Sequence, residues 1–182
     1  MSTVDPIDLV ILVGNPRTGS RTRTLAEAVA AALASTCLAI RDSRTLELAD
    51  IVGVTFSSEP AYGGGGVPDP HGLVRAARLL IVATPTYKGT YTGLLKVFLD
   101  QYGAGALAAT VAVPVAVSAS PAHQQAVGTA LATLLTELGA RVPAPAVALL
   151  EPDLADTDRV VAGWAARHAG AIAAELATLA AA

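Results

Sequence analysis

The chain has 182 residues, of which 53% are hydrophobic and 15% charged, with a formal net charge of −3. That length predicts one domain, spanning residues 1–182, with a large core, and the composition excludes a disordered chain. The weak negative balance offers no basic footprint for nucleic acid or an anionic membrane, and no apolar run is long enough to cross a bilayer. Met1 to Asp8 carries two Asp and no Lys or Arg, so it lacks the basic start of a signal peptide. The single cysteine, Cys37, allows no internal disulfide. A reducing, cytoplasmic setting is therefore expected.

Taken in chain order, short β-branched runs alternate with longer helical stretches. Ile7 to Val13 is a nearly continuous apolar run ending at Gly14, the pattern of a strand buried on both faces. Thr22 to Ser35 follows as a helix, with Leu25, Val29, Ala32 and Leu33 on one face. A short second strand is expected around Leu38 to Ile40, with Cys37 buried and inert beside it, and Asp42 to Asp50 reads as a turn and connector. Ser57 to Gly72 is the one long segment without a periodic pattern. Its four glycines, Gly63 to Gly66, and flanking prolines exclude helix or central strand. A loop that long is either functional or a surface insertion.

Leu79 to Ala83 is the third predicted strand, and Gly93 to Gln101 a helix with Leu94, Leu95, Phe98 and Leu99 as its apolar set. Thr110 to Val117 is the fourth strand, interrupted by Pro114. Pro121 to Gly139 is a helix with proline in its first turn and glycine at its stop. Val142 to Leu150 is the fifth strand, and Asp156 to Ala182 a terminal helix with an acidic start. Five strands interleaved with helices predict an open parallel sheet covered on both faces, in the flavodoxin-like order 2-1-3-4-5.

In such a sheet, ligands bind beyond the carboxyl ends of the strands. Three loops there are chemically unusual. Gly14 to Thr24 joins a strand to a helix start and carries three arginines and several hydroxyls, which suits one phosphate group. A simple helix cap is the competing reading, though a cap needs only one such residue. The Lys-Ser/Thr of a Walker loop is missing, because Ser20-Arg21 follows Gly19, and so is the G-x-G-x-x-G dinucleotide fingerprint. The Cys-x5-Arg of a low-molecular-weight phosphatase is also missing, since Ser43 stands at that spacing from Cys37.

Thr84 to Gly93 holds two of the seven aromatic residues, Tyr87 and Tyr91, beside Gly89 and Gly93, a composition suited to the edge of a planar ring. The alternative is that these tyrosines pack on the core or on a second subunit. Ser118 to His123 again leads into a helix start. His123 alone carries little weight, and no two of His71, His123 and His168 have the spacing of a metal site.

Gly-Asn-Pro-Arg-Thr-Gly-Ser-Arg-Thr from Gly14 and Pro-Thr-Tyr-Lys-Gly-Thr-Tyr-Thr-Gly-Leu-Leu-Lys from Pro85 together resemble the NAD(P)H-dependent FMN reductases. The resemblance covers most of the chain and comes nearest to the reductases that serve two-component sulfonate monooxygenases. It implies a flavodoxin-like fold and FMN as cofactor, with NADPH or NADH as hydride donor. Asn15, Arg17, Ser20, Arg21 and Thr22 would hold the FMN phosphate. Pro85, Thr86, Tyr87 and Lys88 would line the isoalloxazine and ribityl chain. Ser118, Ala119, Ser120 and His123 would lie near the pyrimidine side of the ring.

The resemblance also implies a homodimer or homotetramer, with Gly93 to Gln101 in the subunit contact, and a flavin-dependent monooxygenase as recipient of reduced FMN. The chain departs from the family in having Ser118-Ala119 where many members have Gly-Gly. It also has Thr129 near the place where the sulfonate-system reductases often carry tyrosine. No acid or base residue is required, because hydride transfer is carried by the cofactors. Quinone or azo-type reduction on the same flavin, and a non-enzymatic electron carrier, are the alternative functions.

Overall fold

The computed structural model describes residues 7–36, 38, 40, 42–51 and 67–181. Five strands form one parallel sheet: β1 (Ile7–Val13), β2 (Ser43–Glu47), β3 (Ala77–Pro85), β4 (Val111–Ser118) and β5 (Val147–Leu150). Their spatial order is β2-β1-β3-β4-β5, as the alternation of strands and helices predicts. The helices are α1 (Arg21–Ala34), α2 (Leu48–Ile51), α3 (Pro70–Ala76), α4 (Gly93–Leu99), α5 (Pro121–Glu137) and α6 (Thr157–Ala180), the last preceded by a 3₁₀ turn at Pro152–Asp156.

The period-2 geometry of the strands divides the core in two. Leu9, Ile11 and Val13 of β1 face Leu25, Val29 and Leu33 of α1 and Trp164 and Ile172 of α6. Val10 and Leu12 face the other way, toward Leu95, Phe98 and Leu99 of α4 and Leu131 and Leu135 of α5. Burying each Leu, Val or Phe contributes roughly 1.5–3 kcal/mol. Trp164 Nε1 donates to the Pro145 carbonyl at 3.0 Å, which fastens α6 to the segment entering β5.

Pro114 sits inside the fully buried β4, opposite Val82. Ala112 N–H donates to the Arg141 carbonyl, on the β5 side of the strand. Alternate residues point the same way, so the Pro114 nitrogen faces the gap before β5 begins opposite Val115. The missing N–H therefore removes no ladder bond, and the proline is tolerated in a central strand.

Two sequence expectations are corrected. The second strand is Ser43–Glu47, inside the expected connector, and Leu38 and Ile40 lie outside it. As an edge strand it exposes its first three residues and buries only Leu46 and Glu47, so it lacks an apolar run; Leu38 spends its apolar side chain on the core instead. The long loop is also shorter at its end than expected, because Pro70, His71 and Gly72 form the first turn of α3. Asp69 caps that turn by accepting the Gly72 N–H at 2.7 Å. Cys37 and Gly63 to Gly66 lie outside the described residues. Among the described residues no helix is long and apolar enough to cross a membrane.

Candidate functional site

The loops that follow β1, β3 and β4 meet at the carboxyl edge of the sheet. In the first, the buried Asn15 organises the chain around itself. Its Oδ1 accepts the Arg17 N–H at 2.9 Å and its Nδ2 donates to Thr22 Oγ1 at 3.1 Å. Ser20 is the N-cap of α1, its Oγ accepting the Arg23 N–H at 3.3 Å. The N–H groups of Arg21 and Thr22 have no acceptor among the described residues. Free donors behind a capped helix start, where the helix dipole is positive, fit an anionic phosphate.

The three arginines of this loop are not equivalent. Arg23 is committed to carboxylates, with Nε 2.7 Å from Glu27 Oε1 and Nη1 2.5 Å from Glu47 Oε1. Hydrogen bonds to Glu27 and then Glu47 push its pKa above the ordinary arginine value. Arg21 pairs at 2.9 Å with Glu151, beyond the end of β5. The exposed Arg17 has no ion pair among the described residues, so its guanidinium is the one left for an incoming anion.

The second loop is tied to the first through Thr92, the buried N-cap of α4. Its Oγ1 donates to the Gly14 carbonyl at 2.6 Å and accepts the Leu95 N–H at 3.1 Å, while its own N–H donates to Thr84 Oγ1 at 3.1 Å. Gly14 is required by close approach: a Cβ there would sit 2.7 Å from Leu95 Cβ. At the tip, Tyr87 N–H and Thr90 N–H each donate to the other residue's carbonyl, at 2.9 and 3.3 Å. The two central residues, Lys88 (φ 53°) and Gly89 (φ 87°), both have positive φ, which is the type I′ pattern. A lysine in this region is uncommon and strained. The turn leaves Tyr87 43% exposed, whereas Tyr91 packs against the core.

The third loop is adjacent to the second. Thr86 N–H and Thr86 Oγ1 both donate to the Val117 carbonyl, at 2.8 and 3.0 Å, bringing Pro85 and Thr86 alongside the end of β4. His123 lies beside the turn, its Nε2 3.6 Å from where a Gly89 Cβ would stand. The Ser118 hydroxyl is buried and turned inward, donating to the Ser120 carbonyl and accepting the Ser120 N–H. Ala119 is exposed and Ser120 half-buried, the latter making no side-chain cap bond to α5.

The site residues expected from the sequence thus share one edge of the sheet. Two others escaped sequence reading: Glu47, which also accepts the Gly19 N–H at 2.9 Å, and Thr92. Glu47 was hidden by the misplaced second strand. Thr92 had a readable signal, a threonine immediately before the Gly-Leu-Leu start of a helix.

Residues 7–152 match the family model described as NADPH-dependent FMN reductase. The chain is 33% identical over 171 residues to the NADH-dependent FMN reductase SfnE of Pseudomonas putida, covering 92% of this chain and 88% of that protein. It is 35% identical over 122 residues to an FMN reductase (NADPH) of Pseudomonas aeruginosa, covering 65% of this chain and 63% of that one. The matches span 35%, 32% and 63% of the length of the three curated FMN reductases (NADPH) that it resembles. Among solved structures, the apo form of the NADH:FMN oxidoreductase EMOB superposes with a TM-score of 0.63 at 27% identity, covering 89% of this chain and 90% of that one. The loops at the carboxyl edge fall within the matched span, and the chain belongs to the NADPH-dependent FMN reductase family.

Proposed function

We propose that this chain is an NAD(P)H-dependent FMN reductase, holding FMN with three loops of a single flavodoxin-like domain. The observation that carries this reading is the pair of free N–H groups, Arg21 and Thr22, at the capped start of α1, in the same loop as the exposed Arg17. Those donors match a phosphate monoester, and the adjoining loops supply aromatic and small polar surface next to it.

When bound, FMN would supply the redox chemistry, as acceptor of a hydride from NADPH or NADH. The protein's part is binding and orientation. Asn15 holds the phosphate loop in shape through Arg17 N–H and Thr22 Oγ1. Ser20, Arg21 and Thr22 offer the donors, and Arg17 the balancing charge. Pro85, Thr86, Tyr87 and Lys88 line the ring and ribityl chain, and the exposed Tyr87 provides an aromatic face for it. Ser118, Ala119, Ser120 and His123 border the pyrimidine side. No side chain has to exchange a proton for hydride transfer itself, so these are binding residues rather than acids or bases.

The same reading extends to a homodimer or homotetramer, to a flavin-dependent monooxygenase as recipient of the reduced FMN, and to a cytoplasmic location. The test is oxidation of NADPH and of NADH by purified protein, followed by nicotinamide absorbance with and without added FMN. Oxidation that saturates with FMN is the expected result. Protein that carries FMN yet leaves both nicotinamides untouched would be an electron carrier instead.

A further inference from the structure

Resting on the FMN reading above, we infer that Glu47 is a positioning residue that sets the protein's affinity for the flavin phosphate by fixing the loop that receives it. Glu47 ends β2 at the carboxyl edge and is 8% exposed, although it is a carboxylate. Buried charges of this kind are retained only when paired and hydrogen-bonded. Its two oxygens are divided between two tasks. Oε2 accepts the Gly19 N–H at 2.9 Å, and Oε1 accepts Arg23 Nη1 at 2.5 Å.

Gly19 is the residue immediately before the helix cap, and its φ is +60°. In that conformation the chain turns from the Asn15-centred bend into Ser20 and the free N–H groups of Arg21 and Thr22. Gly19 is exposed and carries no side chain, so no side-chain packing of its own holds it in place. The hydrogen bond to Glu47 takes that role. Arg23 completes the clamp: it reaches back from the first turn of α1 to Glu47 and is itself braced by Glu27. A carboxylate on the edge strand, a glycine in the loop and an arginine on the helix thus lock the loop before any phosphate arrives. Binding then orders little further chain, which favours affinity.

The contribution is confined to the phosphate end of the flavin. FMN and riboflavin differ only by that phosphate, so their affinities separate a positioning role from a general loss of structure. Two variants divide the possible causes. In Glu47→Asp the charge stays but the side chain is one methylene too short for Gly19. In Glu47→Gln the amide oxygen still reaches the Gly19 N–H, but the amide NH2 faces Arg23 Nη1, so the bond to Gly19 is kept and the bond to Arg23 is lost.

Flavin-fluorescence titration of the wild-type chain and both variants decides the matter. The expected result is FMN binding weakened about tenfold in Glu47→Asp, the scale of one charge-assisted hydrogen bond. Riboflavin affinity stays unchanged, and Glu47→Gln, which keeps the Gly19 bond, weakens FMN binding by less than Glu47→Asp does. The inference is overturned if Glu47→Asp binds FMN as wild type does, if FMN and riboflavin weaken by the same factor, or if Glu47→Gln loses as much as Glu47→Asp. A wild-type chain that binds neither flavin removes the FMN reading and this inference together. Normal wild-type FMN binding with indifferent variants removes only the role of Glu47.

Discussion

Thr92 Oγ1 donates to the Gly14 carbonyl and accepts the Leu95 N–H, while Thr92 N–H donates to Thr84 Oγ1, so one residue joins the end of β1, β3 and α4 at the site. Thr92→Val keeps the shape but leaves the buried Gly14 carbonyl without that donor. It is expected to destabilise the protein by about 1–3 kcal/mol, the cost of an unsatisfied buried acceptor, read as a lower urea midpoint. A midpoint unchanged from wild type would contradict both roles of the hydroxyl, the cap of α4 and the bond to Gly14. Lys88 poses the opposite case. Its positive φ costs a non-glycine residue about 1–2 kcal/mol, against about 0.5–1 kcal/mol for the greater freedom glycine loses on folding. Lys88→Gly is therefore expected to leave stability equal or slightly raised in the same urea experiment, while weakening FMN binding through loss of the cation. A loss of stability would mean that the lysine stem is packed rather than strained.

At the scale of elements, α4 is held from both ends, and each end makes a prediction. At its start, Gly14 admits the close approach of Leu95. Gly14→Ala forces the helix away from β1 and is expected to cost about 1–3 kcal/mol, seen as a lower thermal midpoint. At its end, His71 of α3 stacks on Phe98, with ring centroids 4.1 Å apart, and meets Tyr102 edge-on. Burial, and then the charge of Arg75, lower the His71 pKa below the ordinary histidine value. The unfolded chain consequently binds this proton more readily than the folded one. The stability tied to neutral His71 is fully present above the unfolded pKa, about 6.5. It declines as pH falls through that value toward the lowered folded pKa. His71→Phe, which keeps a stacking ring, is expected to flatten the decline in urea midpoint below neutral pH; an unaltered pH profile would contradict this.

The elements also show which parts of the structure the sequence could reveal. β1, β3 and β4 are central, buried on both faces, and therefore announce themselves as apolar runs. β2 is an edge strand whose exposed Ser43, Arg44 and Thr45 carry no such pattern; only its register against β1 defines it. The same difference governs the site. The Asn15 to Thr22 and Pro85 to Lys88 loops were legible because they are contiguous in sequence. Glu47 meets Gly19 across 28 positions and Thr92 meets Gly14 across 78, and pairings of that span arise only from the sheet order.

For the whole molecule, the sheet order separates the site from another concave surface. A groove of about 690 Å³ runs along α5 beside Val142 to Ala146, lined by Gln125, Thr129 and Thr133. It lies on the β5 side of the sheet and includes none of the residues assigned here to the flavin. The two surfaces give different answers to a residue-resolved titration of ¹⁵N-labelled protein with FMN. The account predicts that amide shifts concentrate at Asn15 to Thr22, Thr86 to Thr90 and Ala119 to His123, with Arg21 and Thr22 among the most affected. Shifts confined to Gln125 to Glu137 and Val142 to Ala146, or none at saturating FMN, would contradict it.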